Sequence, residues 1–316
     1  MQARSPGARA RRGTVPAARR AAIIGSRGGR FIPAALRSQL AGIGQIYFQT
    51  SPLFGLVFLL CLYLTGPVLA LGCLLGVGTA TATAVLARFP VEQRNAGLYG
   101  YNAALSGIGL CACYQFNAAL LAWIICASVA SCVLMRLFQR ARLPMLTIWF
   151  VLTMWLAAGT APMLGLRQLA AAATAGACVG APMDYVFCAF GQIAFVGSAG
   201  LGMLMWAALI WRQRRQGLWV LAVGLLAMAM VAVGEAAWPQ AGFSAQAIGI
   251  GINGILVVLG LPTHKRSWRL LLVGAAFSTA LCLLFGALAL PYFTLPFVLA
   301  CWTVLSLTSA DDRREN

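Results

Sequence analysis

Charge is what this sequence lacks. Of 316 residues only 9% are Asp, Glu, Lys or Arg, and just six are acidic. A soluble domain carries about 25% charged residues, so this chain has too little polar surface to face water throughout. Histidine is nearly missing too. His264 stands alone in a basic segment, which excludes the histidine pair of an ammonia channel. No Asn-Pro-Ala pair of a water channel, Ser-His-Asp set, paired carboxylate or phosphate-binding glycine loop occurs. The chain therefore does not read as an enzyme. Its ten cysteines form no CxxC pair and no Cys/His cluster, and most, such as Cys61, Cys73, Cys126 and Cys301, lie inside apolar runs. A thiol there behaves as a small hydrophobe, so neither a disulfide framework nor a metal or other cofactor is expected.

What is abundant is apolar surface, at 61% of residues, in long unbroken runs such as Leu53 to Leu64 and Leu218 to Val233. Backbone that spans lipid must be helical or a closed barrel. Barrel strands alternate apolar and polar residues over about ten positions, and these runs do not. A helical span needs about 20 residues. Ten are expected, at 42–64, 67–87, 97–114, 117–136, 145–165, 186–211, 218–236, 246–262, 269–289 and 294–309.

The placement of positive charge orients them. Arg4, Arg9, Arg11, Arg12, Arg19, Arg20, Arg27 and Arg30 crowd a tail without acids. Its only apolar stretch, Ala21 to Gly25, is too short for the core of a signal peptide. With this tail in the cytoplasm and ten alternating spans, 22 of the 23 basic residues fall on the cytoplasmic side and only Arg167 does not. The positive-inside rule thus supports a multi-pass protein of the cell membrane with both termini inside. The net charge of +17 reads as attraction to anionic lipid, not to nucleic acid. The expected divisions are a basic tail, 1–36, a first membrane segment, 37–166, a linker, 167–185, a second membrane segment, 186–309, and a short tail, 310–316.

The two membrane segments repeat each other. Gly44-Gln45-Ile46-Tyr47-Phe48 recurs 147 residues later as Gly191-Gln192-Ile193-Ala194-Phe195. Gly100-Tyr101-Asn102-Ala103-Ala104-Leu105 recurs 151 later as Gly251-Ile252-Asn253-Gly254-Ile255-Leu256, and Leu143-Pro144-Met145-Leu146-Thr147 recurs 147 later as Leu290-Pro291-Tyr292-Phe293-Thr294. Five spans per segment is an odd number, so the second copy enters the membrane from the opposite side. The expected fold is all-α, with ten transmembrane helices in two inverted five-helix repeats and broken or re-entrant pore helices. Such folds place the solute path between the repeats, beside the breaks.

The repeated motifs hold the candidate site residues. Gln45 and Gln192 either line the path or bond helix to helix. Asn102 and Asn253 follow glycines and either cap or hold open a broken helix. Pro144 and Pro291 free backbone carbonyls, and Thr147 and Thr294 either satisfy their own helices or face a solute. Phe48, Phe195, Tyr101, Leu105, Ile252 and Leu256 accompany them, as core or as walls. The acids Glu92, Asp184 and Glu235 fall at span ends or in loops. Proton relays and ion-coupled transporters need ionisable groups at mid-membrane, so passive passage of a neutral solute is favoured over coupled transport.

The stretches GIGQIYFQTSPLFG at 42–55, GLYGYNAALSG at 97–107, and the LPxxT segments at 143–147 and 290–297 resemble the bacterial and animal urea transporter family over residues 37–309. The resemblance implies a homotrimer with one pore per protomer. Each pore is a flat apolar slot flanked by oxygen acceptors for the N–H groups of urea or a related small amide. It implies that Gln45, Thr147 and Thr294 are acceptor or filter groups, and that Phe48, Tyr101 and Leu105 line one mouth. Gln192, Ile252 and Leu256, with Phe195, are the counterparts. The chain departs from the family at Tyr101 and Ile252, where phenylalanine is usual, and at Ile148-Trp149-Phe150, which replaces Leu-Pro-Phe.

Overall fold

Proline, serine and asparagine set where the helices begin. The computed structural model describes residues 33–141, 143–169, 182–261 and 268–314. The helices are α1 (Ala34–Gly44), α2 (Pro52–Thr65), α3 (Pro67–Leu86), α4 (Val91–Asn95), α5 (Tyr101–Cys113), α6 (Ala118–Arg140) and α7 (Ile148–Thr160), followed by α8 (Pro182–Gln192), α9 (Ala199–Arg212), α10 (Arg214–Ala237), α11 (Ala247–Gly260), α12 (Trp268–Ala287) and α13 (Leu295–Arg314). Pro52 and Pro67 occupy first turns, where a missing N–H costs nothing. Ser51, Asn117 and Ser198 accept backbone N–H groups at the starts of α2, α6 and α9. Among the described residues the only bridge between extended segments pairs Tyr114 with Gln168.

Every expected span contains helix, but several do not run through. α3, α6, α10 and α12 are long and apolar enough to cross a membrane. The 42–64 span bends by 74° between the segments 35–47 and 52–65. The 186–211 span breaks between α8 and α9. α5 and α7 have 13 residues each and α11 has 14. At 1.5 Å per residue they reach about 20 Å, short of the ~30 Å hydrocarbon core. The expected spans at 97–114, 145–165 and 246–262 thus hold shorter helices, in keeping with the expectation of broken or re-entrant segments. Most of the basic tail, most of the 167–185 linker, and the His264 segment lie outside the described residues.

The breaks are backbone reversals at large residues. Phe48 and Phe195 have φ of 57° and 64°, and Leu146 and Phe293 have 46° and 48°. A non-glycine residue in this left-handed region stores strain that surrounding contacts must offset. Two glycines permit the tight return after the first pair. A Cβ on Gly55 would overlap the Leu40 carbonyl, and one on Gly202 would overlap the Phe187 carbonyl. α2 thus packs directly on the backbone of α1, and α9 on that of α8.

Eight described cysteines form no disulfide. Cys188, on α8, is disulfide-bonded, a single bridge where no disulfide framework was expected.

Candidate functional site

The two LPxxT segments meet face to face. After Pro144, the reversal at Leu146 ends the extended segment and Thr147 opens α7. After Pro291, the reversal at Phe293 precedes Thr294 and α13. Thr147 is fully buried and Thr294 is 4% exposed. Their hydroxyl oxygens stand 2.7 Å apart, so one donates to the other.

Each reversal is held by its own asparagine. The Leu146 carbonyl accepts from Asn102 Nδ2 and from the Tyr101 hydroxyl, both at 2.6 Å. The Phe293 carbonyl accepts from Asn253 Nδ2 at 3.1 Å. Asn253 also donates to Gly249 O at 2.9 Å and accepts from Phe297 N at 3.0 Å. Asn102 Oδ1, by contrast, is buried without a partner. Ile252 has no hydroxyl, so nothing in the second motif duplicates the Tyr101 bond.

Aromatic rings flank the hydroxyl pair. Phe48 meets Phe297 edge-on, with centroids 6.0 Å apart. Phe195 meets Phe150 in the same way at 6.3 Å, and Phe150 also meets Phe293 at 5.6 Å. These are ordinary T-shaped distances for apolar contact. Phe150 and Phe297 are buried, whereas Phe48 and Phe195 keep partly exposed rings. Phe297 lies 147 residues after Phe150, as Phe195 does after Phe48. That same offset in the sequence could have pointed to both buried rings.

The remaining candidates occupy graded positions. Leu105 and Leu256 are fully buried one turn beyond Tyr101 and Ile252 on α5 and α11. Tyr101 is 6% exposed and Ile252 is half-buried. Gln45 is 7% exposed and donates to Ala96 O at 3.1 Å, and Gln192 is half-buried at the end of α8. Asp184 lies half-buried in the first turn of α8. Glu235, in the last turn of α10, accepts from Ser244 N at 2.9 Å. Each acid sits at a helix end, away from the threonine pair in sequence and in hydrogen bonding.

With this geometry in view, residues 36–309 match the sequence model of the family described as Urea transporter. The chain belongs to the urea transporter family. Over 110 residues it is 33% identical to urea transporter 1 of Ovis aries and to urea transporter 1 of Capra hircus. That stretch is 35% of this chain and 28% of each relative, so the match covers little more than a quarter of the relatives' length. With its long apolar helices, this member of the urea transporter family is a multi-pass membrane protein.

Proposed function

We propose that the chain conducts urea passively down its gradient, between two inverted five-helix repeats whose ten spans leave both termini in the cytoplasm. Family membership over residues 36–309 carries the solute assignment. The contacts support the symmetry, because they are reciprocal. Phe48 pairs with Phe297, and Phe195, 147 residues after Phe48, pairs with Phe150, 147 before Phe297. Trp155 Nε1 donates to Pro291 O, and Trp302 Nε1 donates to Pro144 O. Such exchange of equivalent contacts is what a two-fold relation would produce, as is a direct contact between equivalent residues such as Thr147 and Thr294.

The chemistry fits a planar neutral solute rich in N–H groups. Ring edges and the side chains of Leu105 and Leu256 offer apolar walls, and Gln45, Thr147 and Thr294 offer oxygens. At rest the two hydroxyls satisfy each other. A passing urea exchanges that bond for its own, so no buried donor is stranded at about 1–3 kcal/mol. Binding stays weak, which release requires. Ions find no group to offset the loss of their water. Trimeric assembly, one pore per protomer, belongs to the same proposal.

Proteoliposome flux tests it. Urea should equilibrate without a sodium or proton gradient. Thr147→Val should cut flux about tenfold, the loss expected when the valine leaves the Thr294 hydroxyl unpaired at about 1–3 kcal/mol, while Thr147→Ser keeps most of it. Urea movement that requires an ion gradient would overturn the proposal.

A further inference from the structure

We infer that Gln49 is a positioning residue, which latches the Phe48 ring at one mouth of the path through a chain of buried amides. The inference rests on Phe48 lining the urea path. Gln49 is 1% exposed and Gln216 is 6% exposed. Gln49 Nε2 donates to Tyr47 O at 3.2 Å and to Gln216 Oε1 at 2.9 Å. Gln49 Oε1 accepts from Gln213 Nε2 at 2.9 Å. Gln216 Nε2 donates onward to Leu259 O at 3.3 Å. Both N–H groups of the Gln49 amide and its oxygen are thus engaged.

The chain of amides braces Phe48 from two sides. Gln49 follows Phe48 directly, at a backbone reversal with φ of 57°. Leu259 precedes Gly260, whose Cα face lies against Phe297 and the tip of Phe48. The backbone bonds of the reversal, Phe48 N to Gln45 O and Gln49 N to Gly44 O, recur in the second motif as Phe195 N to Gln192 O and Val196 N to Gly191 O. The side chain does not recur. Val196, fully buried, stands 147 residues after Gln49. The two mouths are therefore built unequally. Through Gln49, the Phe48 reversal is tied by side-chain amides to the Arg-rich start of α10, whereas the Phe195 reversal has its backbone bonds and apolar packing. A tied ring holds the slot width and rejects wider amides at that mouth.

The test compares urea with N-methylurea flux in proteoliposomes. Gln49→Val installs the residue that the counterpart position already tolerates. It should lower the urea to N-methylurea ratio about fivefold, the factor that one hydrogen bond of ordinary net strength carries. Gln216→Leu should do the same, and the double variant should be no worse than either single one, because both act through one network. Gln213 is exposed, so Gln213→Leu leaves the fold intact and should shift the ratio in the same direction by a smaller factor. An unchanged ratio in folded Gln49→Val, or in Gln213→Leu where the buried variants do not fold, would overturn the latch. Absence of urea flux in the unaltered chain would instead overturn the proposed function.

Discussion

The indole of Trp155 donates a hydrogen bond to the carbonyl of Pro291 at 2.5 Å. That carbonyl belongs to the segment that positions Thr294, and Trp302 does the same for Pro144 at 2.9 Å. Each helix that starts at a threonine thus secures the turn leading to the other threonine. Trp302→Phe keeps the ring area and removes the donor. It should lower stability by about 0.6–1 kcal/mol, typical for a hydrogen bond in a membrane protein, seen as a lower melting temperature in detergent. Trp155→Phe should act similarly, and equal Tm values for both variants and the unaltered chain would contradict the role.

The close approach of α2 to α1 gives a sharper outcome. Gly55→Ala and Gly202→Ala each place a methyl group into a backbone carbonyl. Overpacking of this kind costs about 1–3 kcal/mol, and more where backbone cannot yield. Gly78→Ala is the control, since a Cβ there meets nothing within 4 Å. It should be neutral or stabilising by up to about 1 kcal/mol, from helix propensity. Thermal unfolding of the three variants separates these outcomes.

The two asparagines should not be equivalent. Asn253 makes three hydrogen bonds, and Asn102 makes one while its oxygen goes unpartnered. Asn253→Ala should therefore destabilise more than Asn102→Ala, by about 1–3 kcal/mol at net hydrogen-bond values near 1 kcal/mol each. Chemical denaturation of the two variants measures the order, and a larger loss at Asn102 would contradict it.

Urea flux should be flat from about pH 6 to pH 8. Histidine is the side chain that ordinarily titrates there, and none of Gln45, Thr147, Thr294 and the phenylalanines titrates in that range. Stopped-flow flux at three pH values within this window checks it. A bell-shaped profile would reveal an ionisable group in the path.

Hydropathy and charge placement alone made this a helical membrane protein, because a stretch of about 20 apolar residues has no other stable home. The motif residues also carried the family and the 147-residue offset. They could not reveal where a span stops. An apolar window counts side chains and is blind to the sign of φ at Phe48, Leu146, Phe195 and Phe293. Nor could they reveal the Gln49–Gln216 amide chain, since neither glutamine has a counterpart at that offset and each lies in a local context that reads as ordinary loop or helix. Those roles exist only once segments 147 to 167 residues apart dock. A helix pattern is set by neighbours within a turn. A hydrogen bond between Thr147 and Thr294 depends on two folded segments closing on each other, and only the tertiary structure decides that.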